Sequence, residues 1–163
     1  MTNLQRKLHC ARLLIATLWV GSLWTIGYVV APTLFATLAD RVLAGTIAAS
    51  LFRIEAWLSL ACALVLLVLH VRNRAPDDAG RPTSLPAMLS KLTPLKLILA
   101  MAACTLIGYF GLQPFMATIR EAAAASGGMA GEAKRNFGML HGAASGIFLV
   151  QSLLGVALVL RMR

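Results

Sequence analysis

The stretch LLIATLWVGSLWTIGYVVAPTLF at residues 13–35 decides the fold, because it carries no charged side chain over a length that can cross a bilayer. A membrane-spanning helix needs ~20 mostly apolar residues. A cleaved signal peptide has a shorter apolar core, roughly 7–15 residues, followed by a small-residue cleavage site that is not evident here. We therefore predict a retained membrane helix at residues 12–35.

Three further apolar stretches follow, at residues 46–69, 95–118 and 137–160. The chain is 59% hydrophobic and 13% charged, whereas soluble domains carry ~25% charged residues. These patterns predict an all-α fold, a four-helix transmembrane bundle with up-down topology, formed as one domain by residues 1–163. We place its helices at 12–35, 42–70, 92–124 and 133–161, and a polar linker that contains prolines and glycine at 71–91.

The charge balance indicates orientation rather than nucleic-acid binding. The net charge is +9, but most basic residues flank the apolar stretches and form no basic stripe with exposed aromatics. Ten lie on one side of the predicted membrane: Arg6, Lys7, Arg12, Arg72, Arg74, Arg81, Lys91, Lys96, Arg161 and Arg163. Arg41, Arg120, Lys134 and Arg135 lie on the other. Because cytoplasmic loops carry the excess of Lys and Arg, both termini are expected in the cytoplasm.

Gly138, Gly142 and Gly146 recur every four residues in the fourth stretch. That spacing places them on one face of a helix. Helices in lipid associate through close van der Waals contact, which small residues permit. We predict that another helix packs along these glycines, while a backbone opening for a ligand is the alternative.

The charged residues inside the second stretch are the most expensive in the chain. A charge at the bilayer centre costs ~2.5–3.5 kcal/mol on insertion scales. Arg53 and Glu55 are two residues apart and therefore point in nearly opposite directions. Arg53 can extend its long side chain to the outer headgroups. Glu55 is shorter, shares a helix face with Ser59 and Cys62, and needs a partner or a proton.

Similar depth suggests that several polar side chains converge with Glu55 in the outer half of the bundle. His141 lies about one turn inside the fourth helix, and it is the side chain at that depth whose charge changes near neutral pH. The sequence predicts a proton-sensitive or cation-sensitive cluster of Tyr28, Glu55, Gln113, His141 and Ser145. An interfacial histidine without a role is the alternative for His141.

No nucleophile elbow, phosphate loop, zinc-protease motif or dinucleotide fingerprint is evident, so we expect a protein that is not an enzyme, with no metal site and no cofactor. The leading interpretation is a small permease or an accessory subunit of a membrane assembly. Its expected partners are the lipid bilayer and a second copy of the chain or a larger membrane complex, with no nucleic acid. The alternative is a haem- or metal-binding membrane redox protein that uses His141.

Short motifs in three of the stretches carry a resemblance to a known family. They are residues 19–21 and 27–35, residues 44–45 and 51–52, and residues 137–145 with the pattern Phe137, His141 and Ser145. In these motifs the chain resembles the family called domain of unknown function 4149, or transmembrane protein 205-like. The resemblance implies a four-helix integral protein of the bacterial inner membrane. It implies no established reaction.

A reporter fused after Arg163 tests the orientation. We expect fluorescence from a cytoplasmic reporter and no alkaline phosphatase activity, because the excess of basic residues places the C-terminus in the cytoplasm. Alkaline phosphatase activity with no fluorescence would contradict it.

Overall fold

Four helices, each long and apolar enough to cross a membrane, make up the fold. The computed structural model describes residues 3–71, 93–125, 128 and 130–162, and no β-strand occurs among them. Helix α1 is Asn3–Thr37 and α2 is Arg41–Val71. Helix α3 joins the segments Pro94–Thr105, Leu106–Leu112 and Gln113–Ala125, and α4 is Gly131–Met162. The prediction of an all-α bundle of four transmembrane helices is confirmed.

The helix bounds differ from the predicted ones mainly at the start of α1, which begins at Asn3 rather than at residue 12. The turns that precede the apolar stretch, which contain charged and polar residues, are therefore part of the same helix. The predicted linker at 71–91 lies, apart from Val71, outside the described residues. Pro94 occupies the first turn of α3, where a missing N–H costs nothing.

The bundle has two ends that we name by their residues. The loop end contains residues 37–41, which join α1 to α2, together with Ala125, where α3 ends, and Gly131, where α4 begins. The terminal end contains Asn3, Val71, Pro94 and Met162. Asp40 fixes the start of α2 at the loop end, because its Oδ1 accepts hydrogen bonds from the backbone N–H groups of residues 42 and 43 at 2.8 and 3.1 Å.

Neighbouring helices run antiparallel, as their contacting residues show. Later residues of one helix meet earlier residues of the next, so the four helices follow one another around the bundle. The pairs are Arg12–Leu69 and Trp19–Ser59 for α1 and α2, Trp57–Phe110 and Gly45–Arg120 for α2 and α3, Met101–Gly155 and Thr105–Gln151 for α3 and α4, and Val20–Gly155 and Gly27–Phe148 for α1 and α4.

The apolar core fills the half of the bundle between Glu55 and the terminal end, which we call the terminal half. Its fully buried side chains come from all four helices: Trp19, Leu66, Leu97, Ile98, Met101 and Leu158. Gly155 allows α4 to approach α1 there, since a Cβ at this position would lie 2.8 Å from Cγ2 of Val20. Close packing excludes water from this half.

The other half, between Glu55 and the loop end, is packed differently, and we call it the loop half. No residue is buried in 25–37 of α1 or in 131–150 of α4. Both α1 and α3 widen into π-helix here, over Thr25–Val30 and Leu106–Leu112.

Proline explains where the π-helical segments lie. Pro32 and Pro114 follow them by two residues, and each lacks the N–H that would bond the carbonyl four residues earlier. In α1 the N–H of Ala31 instead bonds the carbonyl of Ile26, five residues back. Both helices continue through these prolines with a widened turn.

Two glycine substitutions on α4 test this packing. Gly155→Ala should destabilise the bundle by ~1–3 kcal/mol, because the new methyl overlaps Val20 in the closed core. Gly142→Ala is the matched control: nothing lies within 4 Å of its added Cβ, so removing a helical glycine should stabilise by ~0.5–1 kcal/mol. The measurement is thermal unfolding in detergent. Shifts of the same sign and size for the two variants would contradict the packing.

Candidate functional site

Buried polar side chains form a layer across the middle of the bundle. They are Glu55, Ser59, Thr105, Gln151 and Ser152, with the half-buried Ser22 completing the set from α1. The antiparallel pairing brings these residues to one level, since Ser22 meets Glu55 and Thr105 meets Gln151. We call this set the polar layer.

Glu55 is the acidic member of the layer and is only 3% exposed. Ser22 and Ser59 both donate hydrogen bonds to its Oε1, with oxygen–oxygen distances of 3.3 and 3.1 Å. The indole Nε1–H of Trp19 donates in turn to Ser59 Oγ at 2.8 Å. The Ser22 hydroxyl also lies 3.0 Å from the carbonyl oxygen of Trp19, so its single proton is shared between two acceptors.

The second carboxyl oxygen of Glu55 has no partner. Oε2 is buried, and it makes no hydrogen bond within the described part of the chain. Buried polar atoms in proteins are nearly always hydrogen-bonded, so an orphaned oxygen marks a position that lacks something. Placing an ionisable side chain inside a membrane helix costs free energy, so such a side chain is a candidate functional group.

Two arginines show how deep Glu55 lies. Near the terminal end, Arg12 donates to the carbonyl oxygen of Leu69 at 3.1 Å, and near the loop end Arg120 donates to that of Gly45 at 3.2 Å. From residue 45 to residue 69 there are 24 steps, which span ~36 Å at the helical rise, slightly more than the ~30 Å hydrocarbon core. Glu55 lies between the two arginine contacts, close to the middle of α2.

The other members of the layer are satisfied by one another. Tyr28 donates its hydroxyl to Ser152 Oγ at 3.0 Å, and Ser152 donates to a carbonyl of its own helix. Gln151 Nε2 donates to Thr105 Oγ1 at 2.9 Å. These bonds link α1 to α4 and α4 to α3, so the carboxyl of Glu55 is the member of the layer with an open hydrogen-bonding position.

Three aromatic rings cover the layer on its loop side. The Phe148 ring stands edge-on to Tyr28 and to Phe52, with centroid distances of 5.4 and 6.0 Å. Gly27 makes room for it, because a Cβ there would overlap the Phe148 ring. The three rings come from α1, α2 and α4, and we call them the aromatic cap.

The structure separates the five side chains of the predicted cluster. His141 is exposed and stacks on Phe137, with a centroid distance of 6.0 Å and an interplanar angle of 7°. It precedes Ser152 by 11 residues, or ~16 Å along α4. Ser145 is exposed and bonds the carbonyl of His141, and Gln113 is half-buried on α3.

Within the cluster, therefore, only Tyr28 reaches the polar layer with Glu55, and it does so through Ser152. Glu55 instead bonds Ser22 and Ser59. Sequence reasoning placed Ser59 on the Glu55 face but did not single out Ser22 or Trp19. The available signal was their i, i+3 spacing on α1, which becomes informative only once the rotation of α1 is known.

Gly138, Gly142 and Gly146 face outwards. An added Cβ on any of them would meet nothing within 4 Å, so the close approach of α4 to α1 uses Gly155 instead. No helix of the described part of the chain packs along these three glycines, and their contact with another helix stays a prediction. Arg53 is also exposed, on the face of α2 that turns away from the bundle.

Among the described residues, no group of three or more His, Cys, Asp or Glu side chains lies close enough to hold a metal ion. Cys10, Cys62 and Cys104 are free thiols. The haem or metal interpretation of His141 stays a prediction.

Comparison with known proteins places this bundle in a family. The family model Domain of unknown function (DUF4149) matches residues 14–125, which contain α2, α3 and most of α1 but not the motif at 137–145. A comparison with the curated proteins and with the solved structures finds no match. The wider likeness to transmembrane protein 205 stays a prediction. Because the match extends over more than half of its length, the chain belongs to the family Domain of unknown function (DUF4149).

Proposed function

We propose that the protein is a non-enzymatic small permease of the bacterial inner membrane, with both termini in the cytoplasm. It works as an oligomer or as an accessory subunit of a larger membrane assembly. Glu55 is the group that binds the transported or coupling cation. Four membrane-spanning helices of an uncharacterised family are the established frame for this proposal.

One observation carries the proposal: a buried carboxyl near the middle of a helix long and apolar enough to span a membrane, with one oxygen that has no partner among the described residues. Maintaining such a group against the cost of burial is typical of ion and proton pathways. A purely structural role would be served better by a hydrogen-bonded polar side chain such as Thr105, which accepts from Gln151 and donates to the carbonyl of Met101.

The asymmetry of the bundle supports a transport role. The terminal half holds the apolar core, whereas in the loop half 25–37 of α1 and 131–150 of α4 have no buried residue, and α1 and α3 contain π-helical turns. In secondary transporters, the coupling-ion site lies near the bilayer midplane, where helices depart from regular α-helical geometry.

The small size of the chain supports an oligomer or a larger assembly. Four helices that pack around a closed core leave no room for a continuous aqueous path within one molecule. A complete path would therefore run between chains. Large side chains such as Trp57 on α2 and Leu153 on α4 are 61% and 63% exposed, and lipid or a neighbouring helix would cover them.

Cation flux into proteoliposomes tests the proposal. The probes are an entrapped pH-sensitive dye for protons and radioactive sodium and rubidium for metal cations, driven by a potassium diffusion potential. We expect at least one cation to enter faster than in protein-free vesicles. Glu55→Gln should reduce that flux to the protein-free rate, because the neutral amide cannot bind and release a cation.

Glu121→Gln is the matched control, since it makes the same chemical change at an exposed carboxyl on α3. This variant should keep the flux. If the unmodified protein moves none of the three cations, or if both variants behave alike, the permease proposal fails.

A further inference from the structure

We infer that the ligand of Glu55 is a proton, held on Oε2 and exchanged with water at the loop end alone, past the aromatic cap. The inference deepens the proposed function by naming the cation and the side from which it arrives.

The hydrogen bonds assign the two carboxyl oxygens different roles. Ser22 and Ser59 both donate to Oε1, which therefore acts as the acceptor oxygen. In a neutral carboxylic acid the other oxygen carries the hydrogen. Oε2 has neither a donor nor an acceptor among the described residues and is closed off from water, so it is the oxygen left to carry the hydrogen of the neutral acid.

The absence of a nearby cation among the described residues also favours a protonated Glu55. The ion pair recorded among the described residues is that of Arg135 with Glu132, at the loop end, and no cation lies within ion-pair distance of Glu55. An isolated carboxylate in an apolar interior is far more costly than the neutral acid. A proton is also the cation that fits an oxygen with no open space around it.

The other titratable side chains near this level are few. On α2 itself, Cys62 lies two turns from Glu55 on the same face. Helix α1 presents Tyr28, whose hydroxyl is bonded to Ser152, and α3 carries Cys104 next to Thr105. At this level α4 presents the uncharged Gln151 and Ser152. Glu55 is thus the carboxyl side chain of the polar layer, and the groups around it at this level are thiols, hydroxyls and an amide.

The two halves of the bundle differ in their resistance to opening. Toward the terminal end, Glu55 is separated from water by fully buried side chains including Leu66, Met101 and Leu158. Toward the loop end, 25–37 of α1 and 131–150 of α4 have no buried residue. Local opening costs least where few apolar contacts are broken, so water reaches the layer from the loop end.

Phe148 is the last obstacle on that route. It is only half-buried, and it contacts Gly27, Tyr28 and Phe52 just outside the polar layer. A change of its side-chain rotamer, without any movement of the core, would open the loop side of the polar layer. The aromatic cap therefore acts as the closure of the proton site.

Dicyclohexylcarbodiimide, which reacts with protonated carboxyl groups in apolar surroundings, tests the proton. The carboxyl hydrogen moves to a carbodiimide nitrogen and the carboxyl oxygen adds to the central carbon. The adduct then rearranges to a stable N-acylurea, so the peptide gains the whole mass of the reagent. At pH 8, where exposed carboxyls are ionised, we expect Glu55 to be labelled and Glu121 to remain unlabelled.

The label should be absent in Glu55→Gln and unchanged in Glu121→Gln, as read by peptide mass spectrometry. Folded protein that shows no label at Glu55 would overturn the inference of a bound proton.

A membrane-impermeant thiosulfonate tests the side of access, applied to Ser22→Cys in right-side-out and inside-out vesicles. The natural Cys10, exposed near the terminal end, reports which side the reagent is on, and the buried Cys62 reports the closed core. We expect residue 22 to react from the side opposite to Cys10, and Cys62 to react from neither. Reaction of residue 22 from the Cys10 side, or from neither side, would overturn one-sided access.

Phe148→Ala should raise the rate at residue 22 by about tenfold or more, because removing a packed ring lowers the free energy of local opening. Leu158→Ala is its control: it creates a similar vacancy on α4 in the terminal half and should leave that rate unchanged. Equal acceleration by both variants would contradict the role of the cap. Neither labelling experiment requires transport, so a labelled, one-sided site without cation flux would refute the permease and not the proton site.

Discussion

Burial of one carboxyl group inside a membrane is the constraint on which the rest of the structure depends. Glu55 can be accommodated at this depth because Ser22 and Ser59 donate hydrogen bonds to one of its oxygens and Trp19 holds Ser59 in place. These bonds require α1 and α2 to meet at a fixed level and rotation. The level of the remaining polar side chains follows from the same antiparallel register.

The packing differs on the two sides of this layer for a physical reason. In the terminal half, large side chains such as Leu66 and Leu97 interdigitate, and Gly155 brings the backbones of α1 and α4 together. In the loop half, Pro32 and Pro114 prevent regular α-helical bonding and leave π-helical turns before them. The apolar core and the half with π-helical turns thus meet at Glu55, and the aromatic cap lies at the boundary between them.

The outer surface of the bundle carries small and charged residues that no other helix of the described chain covers. A Cβ added to Gly138, Gly142 or Gly146 would meet no atom of the described residues within 4 Å, and Arg53 carries its charge on an exposed face of α2. Small residues on a lipid-facing helix permit close contact with another helix. The guanidinium of Arg53 is long enough to reach the headgroup region. The surface is therefore compatible with assembly, whereas the polar layer needs no partner to be built.

The sequence by itself determined the fold class, because four uncharged or nearly uncharged stretches of ~20 residues leave the backbone in lipid no alternative to helices. It also identified Glu55 as a costly residue that needs a partner or a proton. Only the tertiary structure decided which partners it has. The position of a residue along its own helix can be counted from the sequence. The rotation of one helix relative to another, and their offset along the bundle axis, depend on packing such as that of Gly155 on Val20. Hence depth alone grouped His141 with Glu55, and the fold placed Ser22, Ser59 and Trp19 there instead.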